Sequence, residues 1–113
     1  MNLTRQMILV LVLLSMPAWA DIDYDGSYWQ GLEREQISLQ LPLLIIKGSR
    51  GYLACAYIDV DTCNKTGEAC AIVSGVSSHN DMLRAKIKYA SDAARELGIE
   101  EGMSGAKAIE LLR

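Results

Sequence analysis

Three cysteines, a single histidine and a set of alternating aspartates are the residues with which this 113-residue chain could do chemistry. Cys55 stands in the middle of GYLACAY, residues 51–57, a short and almost wholly apolar run. A nucleophilic or redox thiol there needs a base, and His79 is the one imidazole available, with Asp81 two residues on to orient it. No known catalytic motif surrounds either residue, and a histidine where a helix begins is usually just solvated. A cysteine between Leu53 and Tyr57 on one face of a strand most often packs as a small hydrophobe. Packing is therefore the first expectation for Cys55, and a thiol-dependent enzyme or redox factor centred on it is the alternative.

The other two cysteines flank a polar turn. A local bridge between Cys63 and Cys70 would close a short loop and stabilise the fold by about 2 kcal/mol. The odd cysteine count also leaves open a pairing of Cys55 with Cys63, with Cys70 or with a second subunit. A zinc site built from Cys55, Cys63, Cys70 and His79 is disfavoured, because the gaps are far wider than the paired spacing of zinc ligands.

Asp21, Asp23 and Asp25, followed by Gly26, reproduce the D-x-D-x-D-G opening of a calcium loop. Three carboxylates at alternating positions suit a hard cation, although Leu32 stands where the bidentate glutamate is expected. A weak calcium-binding module is thus a third reading, and no other cofactor is expected. Gly75, Ser77 and Ser78 join a strand to a helix N-terminus, where free backbone N–H groups attract anions. Capping of the helix by Ser78 accounts for the same residues without a ligand.

These residues sit in a chain that begins MNLTRQMILVLVLLSMPAWA. Arg5, an apolar stretch from Met7 to Met16 and Ala18-Trp19-Ala20 form the anatomy of a secretory signal peptide, with cleavage after Ala20. The apolar core is shorter than the roughly 20 residues that span a bilayer. The expected location is the periplasm or the extracellular space, with no membrane span after cleavage; an uncleaved anchor is the alternative. The leader carries one base and no acid, so its removal takes the net charge from −3 to −4. A mildly acidic exported domain without a basic cluster is a poor partner for nucleic acid.

Residues 21–34 read as an acidic, aromatic and mobile leader, and residues 35–113 as a single small domain. From Glu35 polar and apolar residues alternate, placing Ile37, Leu39 and Leu41 on one face of a strand that Pro42 interrupts. Leu43–Ile46 and Tyr52–Ile58, joined by Lys47-Gly48-Ser49-Arg50-Gly51, read as a hairpin. Neither run alternates, so both faces want burial. One face can take the chain's own helices, and the economical cover for the other is a second subunit. A further strand runs from Ala69 to Ser74. Ser78 and Asp81 form a capping box, after which Leu83, Ile87, Ala90, Ala94 and Leu97 share one helical stripe ended by Gly98. A shorter helix follows Ser104. The expected fold is α+β: a small sheet or hairpin region, then a long helix and a short C-terminal helix on one face.

With those elements placed, LPLLIIKGSRGYLACAYIDV, AIVSGVSSHNDML and ELGIEEGMSGAKAIELL, between Leu41 and Arg113, resemble the YunC-like family, domain of unknown function 1805. Gly51-Tyr52-Leu53 with Cys55, Gly75-Val76, and Gly102-Met103 with Gly105 and Ala108 carry the likeness. It implies a homo-oligomer, a tetramer, assembled through the β-region that includes residues 43–58. It brings no activity. The export signal and the cysteines at 63 and 70 depart from the family pattern. The function expected is that of an exported, oligomeric binding or structural module of the periplasm or cell envelope.

Overall fold

A computed structural model describes residues 26–113. The expected signal peptide, residues 1–20, and Asp21, Asp23 and Asp25 lie outside the described residues. Strands β1 (Glu33–Ser38), β2 (Pro42–Lys47), β3 (Tyr52–Cys55), β4 (Cys70–Val73) and β5 (Tyr89–Ala90) form one sheet in the order β1-β2-β3-β4-β5. All neighbours are antiparallel except β3 and β4, which run parallel. The helices are α1 (Val60–Thr66), α2 (His79–Arg84), α3 (Asp92–Glu96) and α4 (Gly105–Leu112). The class is α+β, as the succession of strands and helices predicts.

The two-residue period of the strands divides the apolar side chains between two cores. Leu44, Ile46, Leu53, Cys55, Ala71 and Val73 pack with Met82, Leu83, Ala94, Ala108, Ile109 and Leu112 from α2, α3 and α4. On the other face Ala54, Cys70 and Ile72 pack with Cys63 of α1, edged by Ile45, Tyr52, Ile58 and Val60. Full burial of each large aliphatic side chain stabilises by about 1.5–3 kcal/mol. Helices on one face describe three of the four; α1 lies across the sheet from them.

The connection between β3 and β4, read from sequence as a polar turn, is helical. Asp59 caps α1 by accepting the Asp61 N–H at 3.0 Å, and Gly67 ends it at φ +75°. The stripe from Leu83 to Leu97 is helical at both ends and interrupted between them. Here Lys88 N–H donates to Ile72 O at 2.8 Å, and Ser91 N–H to Cys70 O at 2.9 Å. The open edge of β4 thus captures the segment as β5. On its other side Ile87 N–H donates to Met103 O, and Gly102 N–H to Ile87 O, both at 2.8 Å. Ile87, just before β5, and Ala90, within it, reach the same core that they would have reached on a helix.

Buried Ser91 ties these pieces together. Its hydroxyl donates to Glu68 O at 2.8 Å and accepts N–H groups from Cys70 at 2.9 Å and Ala94 at 3.2 Å, the last capping α3. At the other end of the sheet, the leader expected through residue 34 is packed rather than free from Tyr28 onward. Trp29 is buried, the Arg34 guanidinium lies 4.3 Å from its ring centroid, and Arg113 donates to the carbonyls of Tyr28 and Gln30.

Candidate functional site at the carboxyl ends of β3 and β4

Parallel β3 and β4 end side by side, and the chain leaves them in opposite directions. From β3 it enters α1 on one face, and from β4 it enters α2 on the other. Such a divergence opens a crevice beyond the strand ends. A cavity of about 440 Å³ lies there, lined by Leu41, Pro42, Cys55, Tyr57, Val76 and Ser77 among others.

Cys55 is 5 % exposed and its thiol is free. The β2–β3 ladder stops at Ile45 and Ala54. One step further, the Leu44 N–H donates to Cys55 Sγ at 3.3 Å, so the side chain takes the place of a ladder acceptor. The nearest acceptor for the thiol proton is Pro42 O, 3.9 Å away. Packing and hydrogen bonding therefore both fix this sulfur in the cavity wall. Cys55→Ala is expected to lower stability by about 2 kcal/mol, because the buried Leu44 N–H loses its acceptor. Cys55→Ser, which keeps an acceptor, should lose distinctly less. Urea unfolding of both variants checks this, and equal losses would contradict it.

The structure does not bring His79 or Asp81 to Cys55. His79 Nε2–H donates to the Glu35 carbonyl at 2.9 Å, and the ring packs edge-on to Trp29 with centroids 6.3 Å apart. Asp81 Oδ2 accepts the Ser77 N–H at 3.0 Å, and its Oδ1 lies 3.5 Å from Arg84. Ser78 Oγ accepts the Asp81 N–H at 3.1 Å. The imidazole is engaged at β1 and the carboxylate in a cap, so the arrangement expected of a Cys–His–Asp site is not formed. Ser78 caps α2 as its sequence suggested, with the reciprocal bond going to Ser77 rather than to Ser78 itself. Of the proposed anion-binding residues, Gly75 and Ser77 line the cavity, with Gly75 at φ +71°, and Ser78 is engaged in the cap.

Cys63 and Cys70 are joined by a disulfide with Cα atoms 6.3 Å apart. It ties α1 to the start of β4. The Tyr52 hydroxyl donates to Cys63 Sγ at 3.1 Å. Burial, and then the nearby Glu68 charge, raise the Tyr52 pKa above its usual value. No group of three or more histidine, cysteine or carboxylate side chains among the described residues is placed to hold a metal ion.

A second groove of about 580 Å³ shares Ala56 and Tyr57 with the cavity and runs past Asp61, Ile72, Lys88 and Tyr89. The sequence reading missed Leu41, Pro42, Tyr57 and Val76 as site residues. The signal that could have found them was the helix after Asp59, since a β–α–β unit implies parallel strands and a crevice at their ends.

Comparison with known proteins agrees with this fold. The model of the family described as "Domain of unknown function (DUF1805)" matches residues 54–112. The chain is 30 % identical over 80 residues to the uncharacterized protein YunC of Bacillus subtilis (strain 168), covering 65 % of this chain and 79 % of that one. It is similar in fold to a crystal structure of TA1206, a protein of unknown function from Thermoplasma acidophilum. That match has a TM-score of 0.64 and 34 % identity, and covers 73 % of this chain and 93 % of the other. With one fold and one family signature across β3 to α4, the chain belongs to the YunC-like DUF1805 family.

Proposed function

We propose that this protein is an exported, homo-oligomeric module of the periplasm or cell envelope, with a binding or structural role, assembled through the β-region that includes residues 43–58. Helix α1 covers the far face of β3, which leaves β1 and β2 as the open part of that region. The observation that carries the reading is the apolar surface of that hairpin. Ile37 is 55 % exposed, Leu39 52 % and Leu41 68 %, on a hairpin whose first strand is exposed along its whole length. Leu43 and Ile45 beside them are only half-buried. Ile37 stands on the edge strand and Leu39 and Leu41 in the bend that follows it, and apolar side chains exposed together at a sheet edge mark a surface for another chain. Glu33, Arg34 and Glu35 give the strand both signs of charge, so a second copy meets no single-sign repulsion. Covering Ile37, Leu39 and Leu41 would contribute about 3 kcal/mol per subunit.

The signal-like anatomy of residues 1–20 supports export, as does a disulfide, which persists in oxidising compartments. No helix among the described residues is long and apolar enough to cross a membrane. The double variant Ile37→Ser, Leu39→Ser is expected to fall from oligomer to monomer in light scattering while keeping the circular dichroism of the folded domain. An assembly of unchanged mass would contradict the reading.

A further inference from the structure

We infer that the cavity between the ends of β3 and β4 is a binding site for a small, uncharged, largely apolar molecule, and that Cys55 is a thiol reached from solvent only through it. The volume of about 440 Å³ falls within the roughly 300–1,000 Å³ typical of small-molecule sites. Its position is the crevice that parallel strands create when their connections leave on opposite faces.

The chemistry of the walls sets the ligand class. Leu41, Pro42, Ala56 and Val76 are apolar, and among the described residues no charged side chain lines the cavity. These walls offer an ion no charged partner, whereas an apolar molecule would cover the exposed faces of Leu41 and Tyr57. The polar groups present are few. The Ser77 hydroxyl has no partner among the described residues, and the Tyr57 hydroxyl accepts the Leu41 N–H at 3.4 Å. Those two hydroxyls suit a molecule with one hydrogen-bonding end, such as an aliphatic alcohol, aldehyde or ketone. The Cys55 sulfur, held by the Leu44 N–H, forms the wall beside it. Leu41 belongs both to this wall and to the proposed subunit surface, whereas Ile37 and Leu39 line no part of the cavity, so the two readings can be tested apart through Ile37 and Leu39.

The test uses the full exported chain and intact-mass measurement. Cys63 and Cys70 are bonded to each other, so one thiol is open to labelling. Methyl methanethiosulfonate is neutral and small: the Cys55 thiol gives up its proton to solvent, its sulfur bonds to the reagent's sulfenyl sulfur, and methanesulfinate leaves. A trimethylammonium-bearing thiosulfonate carries the same reactive group with a fixed charge. The neutral reagent is expected to label Cys55 about tenfold faster than the charged one, relative to their rates on a free thiol. Saturating 1-hexanol should slow the neutral reagent several-fold. Val76→Trp, which fills the cavity, should slow it by about tenfold. Ala56→Leu, at an exposed position on the cavity wall, does the same work if Val76→Trp fails to fold. Absence of labelling, equal relative rates for the two reagents, or rates indifferent to hexanol or to the filling variants would each overturn the proposal. The Ile37→Ser, Leu39→Ser protein should keep the hexanol protection even as a monomer, which separates failure of the site from failure of the assembly.

Discussion

Gly105→Ala is expected to destabilise the domain by about 3 kcal/mol. Gly105 opens α4 immediately after its cap Ser104, and its N–H donates to Ala85 O at 2.8 Å. A β-carbon at this position would overlap the carbonyl oxygen of Met82 and stand 2.9 Å from its carbonyl carbon. It would also come within 3.2 Å of Leu83 Cα. All three are backbone atoms of α2, so no side-chain rotation relieves the contact. The two helices must separate, loosening Met82 and Leu83 from Ala108 and Ile109 in the core. Alanine is intrinsically a better helix former than glycine by about 1 kcal/mol, which is too little to offset that loss. Urea unfolding measures the outcome, and an unchanged or raised midpoint would show that α2 and α4 do not approach as closely as described.

The second large effect is at the disulfide. Removing it with Cys63→Ala and Cys70→Ala together should cost about 2 kcal/mol and lower the melting temperature by about 12 °C for a domain of this size. Seven-residue α1 is rich in Val, Asp, Thr, Cys and Asn, all weak helix formers, so its own propensity does not hold it. The bridge and the burial of Cys63 under Ala54 and Ile72 hold it instead. Calorimetry of the double variant, and of the native protein with reductant, should show the same fall. A melting temperature that does not move would contradict this account of α1.

The reach of the sequence can be judged element by element. The alternation after Glu35 found β1, although that strand ends at Ser38, Leu39 and Leu41 fall in the bend after it, and Pro42 opens β2 rather than breaking β1. The runs around Gly48 and Gly51 made β2 and β3 legible. Gly48 proves necessary for a reason that pattern does not carry: a β-carbon there would overlap the backbone at Leu112. The C-terminal helix and the Gly98 stop were equally plain, with Ile99 folding back to donate to Ala94 O at 3.1 Å. The stripe from Leu83 to Leu97 misled because AKIKY, residues 85–89, also alternates with period two. A sheet edge at β4, invisible in one sequence, selected the strand. Helix α1 was hidden by poor helix formers, although Asp59 and Gly67 mark its two ends. Missing it concealed the parallel pair and with it the cavity. The mutual placement of Cys55 and Ser77 depends on that pairing, as does the diversion of His79 to Glu35, so neither could be read from spacing.

The claim that organises this account is that the exposed β1–β2 surface joins copies of the chain. Native mass spectrometry of the exported protein tests it most directly. The account predicts a tetramer of chains cleaved after Ala20, each with one disulfide and one free thiol; a clean monomer at micromolar concentration would contradict it.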